Sequence, residues 1–176
     1  MIVSSYQNVI NPAGSGQTGN RMRLPTVTAA NLQREQKTLP QAFEGEFNIV
    51  FIPFQQWHQR LVDGWVPLAR KLERQHPNVR YYELPTIQRL NRLSRVFINE
   101  GMRAGIPDNT ARERTITLYL DKAAFRRALD LPSESTIYIL VVDRAGHVWW
   151  RASGEYTPEK GEALAQALDN LLSGGI

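Results

Sequence analysis

The residue with the clearest chemical potential is a histidine at the predicted start of a helix. His58 follows Trp57, directly after the short apolar run 47–54. Backbone N–H groups and the positive end of the helix dipole gather at a helix start, so His58 could bind an anion or act as a general base there. No acid or nucleophile lies near it in the sequence. We therefore favour the interpretation that His58 is a surface histidine without a catalytic role.

Thiol chemistry is excluded, because the chain contains no cysteine and the thiolate is the nucleophile in that chemistry. The three histidines are scattered, and no His/Asp/Glu cluster has metal-ligand spacing. No glycine-rich phosphate loop is present. We expect no cofactor, no metal and no enzymatic activity, and a non-thiol enzyme at His58 is the least favoured alternative.

Tryptophan and arginine, which are often the energetically important residues of protein interfaces, stand together in two places. One is the predicted start of the first helix, and the other is the sequence Trp149-Trp150-Arg151. Side chains alternate between the two faces of a strand, so one of the two adjacent tryptophans is expected to point outward. The predicted binding residues are Gln56, Trp57, His58, Gln59, Arg60, Trp150 and Arg151.

A basic helix offers a second kind of binding surface. The net charge is +4 with a pI near 9.6, which permits nucleic acid, anionic lipid or an acidic protein as a partner. Arg89, Arg92 and Arg95 recur every third residue on a predicted helix and could contact phosphates. An ordinary solvated face explains the same spacing, and no nucleic-acid motif accompanies it. An RNA- or anion-binding module is therefore an alternative, and nucleic acid is not the favoured partner.

The length and composition fit one globular domain after a short arm. Residues 1–22 are polar and rich in turn-forming residues, which predicts a flexible N-terminal arm before a domain at 23–176. The arm lacks the apolar segment of a signal peptide, and no run reaches the ~18–20 apolar residues of a membrane span. We expect a cytoplasmic protein without a transmembrane segment.

Strands and helices alternate along the predicted domain. Strands are predicted at 47–54, 79–84, 114–120, 136–142 and 147–152, and helices at 57–75, 86–100, 122–129 and 157–172. The apolar stripe of the second helix is expected to face the core, and strand 136–142 is expected at the sheet centre. The order predicts a thioredoxin-like α/β fold, a three-layer α/β/α sandwich with a mixed central sheet and a C-terminal β-hairpin plus helix.

The N-terminal half resembles peroxiredoxin-like and thiol-oxidoreductase domains. The resemblance is carried by the entry Leu24-Pro25, the turn from Leu39-Pro40 to Gly45, and the strand 47–54. Trp57-His58 is similar to the Trp-Cys start of the active-site helix in those proteins. On that alignment His58 and Leu61 occupy the two cysteine positions. The resemblance implies a thioredoxin-like scaffold without redox activity.

The C-terminal pattern is more specific. It consists of the strand Tyr138 to Asp143, a turn at Gly146, Trp149-Trp150-Arg151, Ser153-Gly154 and the helix start Thr157-Pro158-Glu159. This pattern resembles the mitochondrial ATP-synthase assembly-factor family, whose members act as chaperones for a membrane subunit of the proton channel. The resemblance implies a protein-binding or assembly chaperone or adaptor. The client and the oligomeric state stay open.

Overall fold

The computed structural model describes residues 22–174. The strands are β1 (Val27–Ala30), β2 (Gln36–Leu39), β3 (Phe47–Ile52), β4 (Val79–Glu83), β5 (Thr86–Gln88), β6 (Leu118–Leu120), β7 (Tyr138–Asp143) and β8 (Val148–Ser153). The helices are α1 (Gln59–Gln75), α2 (Arg92–Gly105), α3 (Asn109–Arg114), α4 (Lys122–Ala128) and α5 (Pro158–Leu172), with a 3-10 turn at Gln56–His58 before α1.

A four-stranded mixed sheet forms the centre of the molecule. Its order is β4-β3-β7-β8, with β3 parallel to β4 and antiparallel to β7, and β7 antiparallel to β8. All six residues of β3 and the first five of β7 are buried, because both strands are apolar on both faces and so belong at the sheet centre. The predicted central position of the 136–142 strand is confirmed.

Each face of the central sheet carries its own core. Helices α1 and α5 cover one face, where Trp65, Leu164 and Leu168 pack with Ile49 and Val141. Helix α4 and the segment around the β1-β2 hairpin cover the other face, in a cluster that includes Leu39, Phe43, Phe125, Val50 and Leu140. The thioredoxin-like three-layer fold predicted from the sequence is therefore confirmed.

The second predicted helix begins later than the sequence pattern indicated. Thr86–Gln88 form strand β5, which pairs in parallel with β6, and α2 starts only at Arg92. Asn91 caps α2, since its side chain accepts a hydrogen bond from the Ser94 N–H. The predicted strand 114–120 is likewise shortened to Leu118–Leu120, after helix α3.

The prediction that the apolar stripe of this helix faces the core is also wrong. No residue of α2 is buried, and Leu93 and Phe97 are 83% and 80% exposed. Helix α2 lies between β5 and β6 in the chain and contributes to neither core cluster of the central sheet, so its apolar residues have no core to enter. Helical spacing alone did not distinguish this arrangement from a core-facing helix.

The N-terminal end of the described chain pairs with the turn before β8 and with the first residue of that strand. The Val148 N–H donates to the Met22 carbonyl at 2.9 Å, and the Leu24 N–H donates to the Gly146 carbonyl at 2.8 Å. Met22 therefore lies with the domain, although the sequence placed it in the flexible arm at 1–22. The rest of that predicted arm lies outside the described residues.

Candidate functional site

The connection between β3 and α1 is built around His58. The backbone N–H of Phe54 donates a 3.1 Å hydrogen bond to His58 Nδ1, which ties the end of β3 to the helix start. His58 is fully buried. Its Nε2 is the buried side-chain polar atom that lacks a hydrogen-bond partner in the described part of the chain. The buried His58 ring thus stabilises the turn between β3 and α1.

The prediction of a surface histidine at this position is wrong, and so is its inclusion among the binding residues. Because Nδ1 accepts the Phe54 N–H, the neutral ring must carry its proton on Nε2. Burial lowers the pKa of His58, and the nearby Ser135 backbone partly opposes the shift. A buried ring whose acceptor nitrogen is occupied by the Phe54 N–H is not exposed to an anion or a substrate.

The His58 environment predicts a loss of stability in acid. The pKa is lower in the folded chain than in the unfolded chain, so below about pH 6.5 the unfolded chain binds more protons and stability falls as the pH falls. Each pKa unit of difference between the folded and the unfolded chain contributes about 1.4 kcal/mol to the free energy of unfolding. We expect urea unfolding to show a larger loss of stability between neutral and mildly acidic pH for the wild type than for His58→Asn, whose amide oxygen can replace Nδ1. Parallel losses in both proteins would contradict this explanation.

An exposed tryptophan lies over the buried histidine. Trp57 is 47% exposed, and its ring meets His58 edge to face at a centroid distance of 4.3 Å. Its Nε1 donates to Gln55 Oε1 at 2.9 Å, and the Arg60 guanidinium lies 5.4 Å from the ring centroid. Gln55 in turn donates to the Glu134 carbonyl at 3.0 Å. The exposed indole is therefore held in one place by its neighbours.

The polar residues around Trp57 are exposed, as a binding surface requires. Gln56, Gln59 and Arg60 are all exposed, and we call these three residues together with Trp57 the Trp57 surface. Gln59 also covers Glu83 at the end of β4, donating to its Oε2 at 3.3 Å. Burial raises the pKa of Glu83, and the Gln59 hydrogen bond partly offsets this effect. Binding by the Trp57 surface stays a prediction.

The second predicted binding pair, Trp150 and Arg151, lacks the exposure that the prediction required. Trp150 is only 3% exposed and lies in the core between the sheet and helices α1 and α5. A β-bulge causes this: Val141 pairs with Trp150 and Val142 pairs with Val148, so Trp149 is an extra residue in β8. Strict alternation fails at a bulge, and both tryptophans pack on the same face. Trp149 is half-buried and donates to Asp143 Oδ2 at 2.9 Å.

Arg151 also points inward. Its Nη1 donates to the backbone carbonyls of Leu129 and Asp130, at 3.3 and 3.0 Å. A 3.4 Å ion pair joins Arg151 to the Asp130 carboxylate, and the Arg151 side chain is only 15% exposed. Arg151 therefore connects β8 to the end of α4 and is not free to bind a partner.

The three arginines of the predicted basic helix do not all belong to the helix. Arg89 precedes α2, and its backbone N–H donates to the Leu120 carbonyl. Arg95 lies over Tyr119, with its guanidinium 5.7 Å from the ring centroid. Arg92 is exposed in the first turn. Arg89 lies outside the helix because β5 replaces the first turn of the predicted helix, and phosphate contact by these arginines stays a prediction.

Residues 22–174 contain neither a candidate metal site nor a helix that could span a membrane. This region contains no group of three or more His, Cys, Asp or Glu side chains that could hold a metal ion. No helix within the same region is long and apolar enough to span a bilayer. The Trp57 surface is thus the candidate site that retains most of its predicted residues in an exposed position.

Comparison with solved structures identifies the fold of the protein. BsSco, a member of the Sco family of cytochrome c oxidase assembly proteins, matches with a TM-score of 0.58 and 11% identity, over 85% of this chain and 94% of BsSco. A thiol-disulfide oxidoreductase thioredoxin domain from Bacteroides vulgatus matches with a TM-score of 0.52 and 12% identity, over 85% and 94%. A putative electron transfer protein from Aquifex aeolicus gives 0.55 and 11%, over 83% and 96%. The chain is a cysteine-free protein of thioredoxin-like fold.

The family follows from the sequence comparison. The family model for the ATP10 protein matches residues 17–171. The chain therefore belongs to the ATP10 family, the ATP-synthase assembly factors that the pattern at 138–159 resembles. No curated protein matches the sequence.

Proposed function

We propose that this protein is a redox-inactive assembly chaperone or adaptor that binds a protein client through the Trp57 surface. Family membership supports protein partners, and the absence of cysteine removes the thiol chemistry of the fold. BsSco, which shares the fold, is a member of a family of assembly proteins. The cytoplasmic location expected from the sequence stays a prediction.

The observation that carries this proposal is the fixed and exposed position of Trp57. Its indole is 47% exposed and is hydrogen-bonded to Gln55. Immobilising side chains opposes association, so a ring already held in place binds at a lower entropic cost. Tryptophan and arginine are enriched among the residues that dominate interface energies, and Arg60 lies beside the ring. This arrangement suits an apolar or aromatic client segment.

Replacing Trp57 with alanine is expected to weaken client binding by at least about tenfold, since interface tryptophans commonly contribute more than ~1–2 kcal/mol. The fold should persist, because the ring is largely outside the core. The measurement is recovery of client proteins by tagged protein from native lysate treated with RNase, with thermal unfolding of both proteins in parallel. Arg74→Ala is the matched control, because it removes an exposed side chain from the last turn of the same helix, outside the Trp57 surface.

Unchanged client recovery by a folded Trp57→Ala protein would contradict the proposal. Loss of all partners on RNase treatment would instead favour the RNA-binding alternative, whose affinity should fall steeply with salt.

A further inference from the structure

Helix α2 presents three large apolar side chains to solvent. Leu93, Val96 and Phe97 are 83%, 53% and 80% exposed. Residues three and four positions apart lie on one face of a helix, so these side chains are neighbours. We call these three residues the α2 patch. Exposed apolar side chains grouped on one face indicate an interaction surface more often than scattered ones do.

Positive charge flanks the α2 patch. Arg89 and Arg92 are both exposed, and Arg92 lies one turn before Val96 on the same face of the helix. Neither guanidinium belongs to the ion pairs or side-chain hydrogen bonds of the described residues. The acidic residue of the helix, Glu100, is paired with Arg34 at 2.9 Å. The α2 patch is therefore flanked by unpaired arginines, and the acidic residue of its helix is already paired.

We propose that α2 docks on a lipid bilayer that contains anionic headgroups. The apolar side chains would enter the boundary between headgroups and acyl chains, while Arg89 and Arg92 contact phosphates, as in amphipathic helices that lie on membranes. The helix has 14 residues and is about 21 Å long, so it lies on the surface and does not span the bilayer.

The shape of this surface favours lipid over a protein partner. None of the residues of α2 is buried, and Leu93 and Phe97 are at least 80% exposed, so the apolar side chains form a ridge that projects into solvent. A bilayer accepts a convex apolar ridge without a shaped pocket, and its charge complements the two arginines. The proposal does not depend on the Trp57 surface, which lies on the turn before α1.

The test is co-sedimentation of the full chain with vesicles of phosphatidylcholine alone, or of phosphatidylcholine mixed with phosphatidylglycerol. We expect binding to the mixed vesicles that weakens with added salt. Phe97→Ala should bind about tenfold more weakly, because it removes inserted apolar surface. Arg89→Gln/Arg92→Gln should lose about fivefold per arginine.

A charge-matched control separates this proposal from general electrostatic attraction. Arg74→Gln/Arg127→Gln removes the same charge from exposed positions on α1 and α4, and it should bind the mixed vesicles like the wild type.

Equal losses in both double variants, or equal binding to the two kinds of vesicle, would overturn the proposal. Absence of vesicle binding together with loss of a protein client in Phe97→Ala would also overturn it, in favour of a protein partner at the patch. Retained vesicle binding by Trp57→Ala would show that the two surfaces act separately.

Discussion

Replacing Trp65 with alanine should cost about 3–5 kcal/mol of folding free energy. The side chain has no exposed surface and lies in the core between β3, α1 and α5. Its Nε1 donates a 3.0 Å hydrogen bond to the Gly154 carbonyl, and its ring meets Tyr156 edge to face at 5.4 Å. Truncation leaves a large cavity and an acceptor without its donor. Urea unfolding followed by circular dichroism measures the loss.

Trp57→Ala provides the comparison for this prediction, because it makes the same chemical change a short distance away at a residue that is 47% exposed. We expect it to change the free energy of unfolding by less than about 1 kcal/mol, as is usual for exposed positions. Similar losses in the two variants would contradict the assignment of Trp65 to the core.

Alanine at Gly45 should destabilise the protein by about 3 kcal/mol. A Cβ there would lie 2.5 Å from the Phe47 carbonyl oxygen, 2.7 Å from Asn48 Oδ1 and 2.9 Å from the Arg80 backbone nitrogen. Two of these atoms are backbone, so the strands must move to relieve the contact. Asn48 also holds this turn, since it accepts from the Gly45 N–H and donates to the Gly45 carbonyl, both at 3.0 Å.

Gly101→Ala is the matched control for Gly45. Nothing lies within 4 Å of a Cβ at this helix position, and alanine is favoured over glycine inside a helix by about 0.5–1 kcal/mol. The melting temperature should fall by about 6–12 °C for Gly45→Ala and rise slightly for Gly101→Ala. Equal melting temperatures for the two variants would show that the turn at Gly45 can relax.

The central fold could be predicted because its strands are apolar on both faces and its helices have clear start signals. Thr157 caps α5 by accepting from the Lys160 N–H, and Asp121 caps α4 in the same way. These interactions are local, so the sequence reveals them. The β1-β2 hairpin escaped prediction because its strands have only four residues each, β2 is mostly polar, and the two form a separate two-stranded sheet.

The candidate site could be predicted only in part, because burial depends on contacts that are distant in sequence. His58 was expected at the surface, but the Phe54 N–H and the covering Trp57 ring enclose it. The bulge at Trp149 reverses the expected direction of one side chain, and no local sequence signal marks it. Exposure of the α2 patch follows from the position of α2 between β5 and β6, outside both core clusters. The Asn91 cap, which precedes Ser94 by three residues, was the signal that could have located the helix start.

The pairing of Met22–Leu24 with the start of β8 has a consequence for biosynthesis. An open edge strand offers unpaired backbone groups to other chains and promotes aggregation. The ribosome makes the N-terminal segment first, so its backbone is already present when residues 146–148 emerge. The start of the last strand, at Val148, can thus pair within the same chain as soon as it emerges, before it meets another nascent chain.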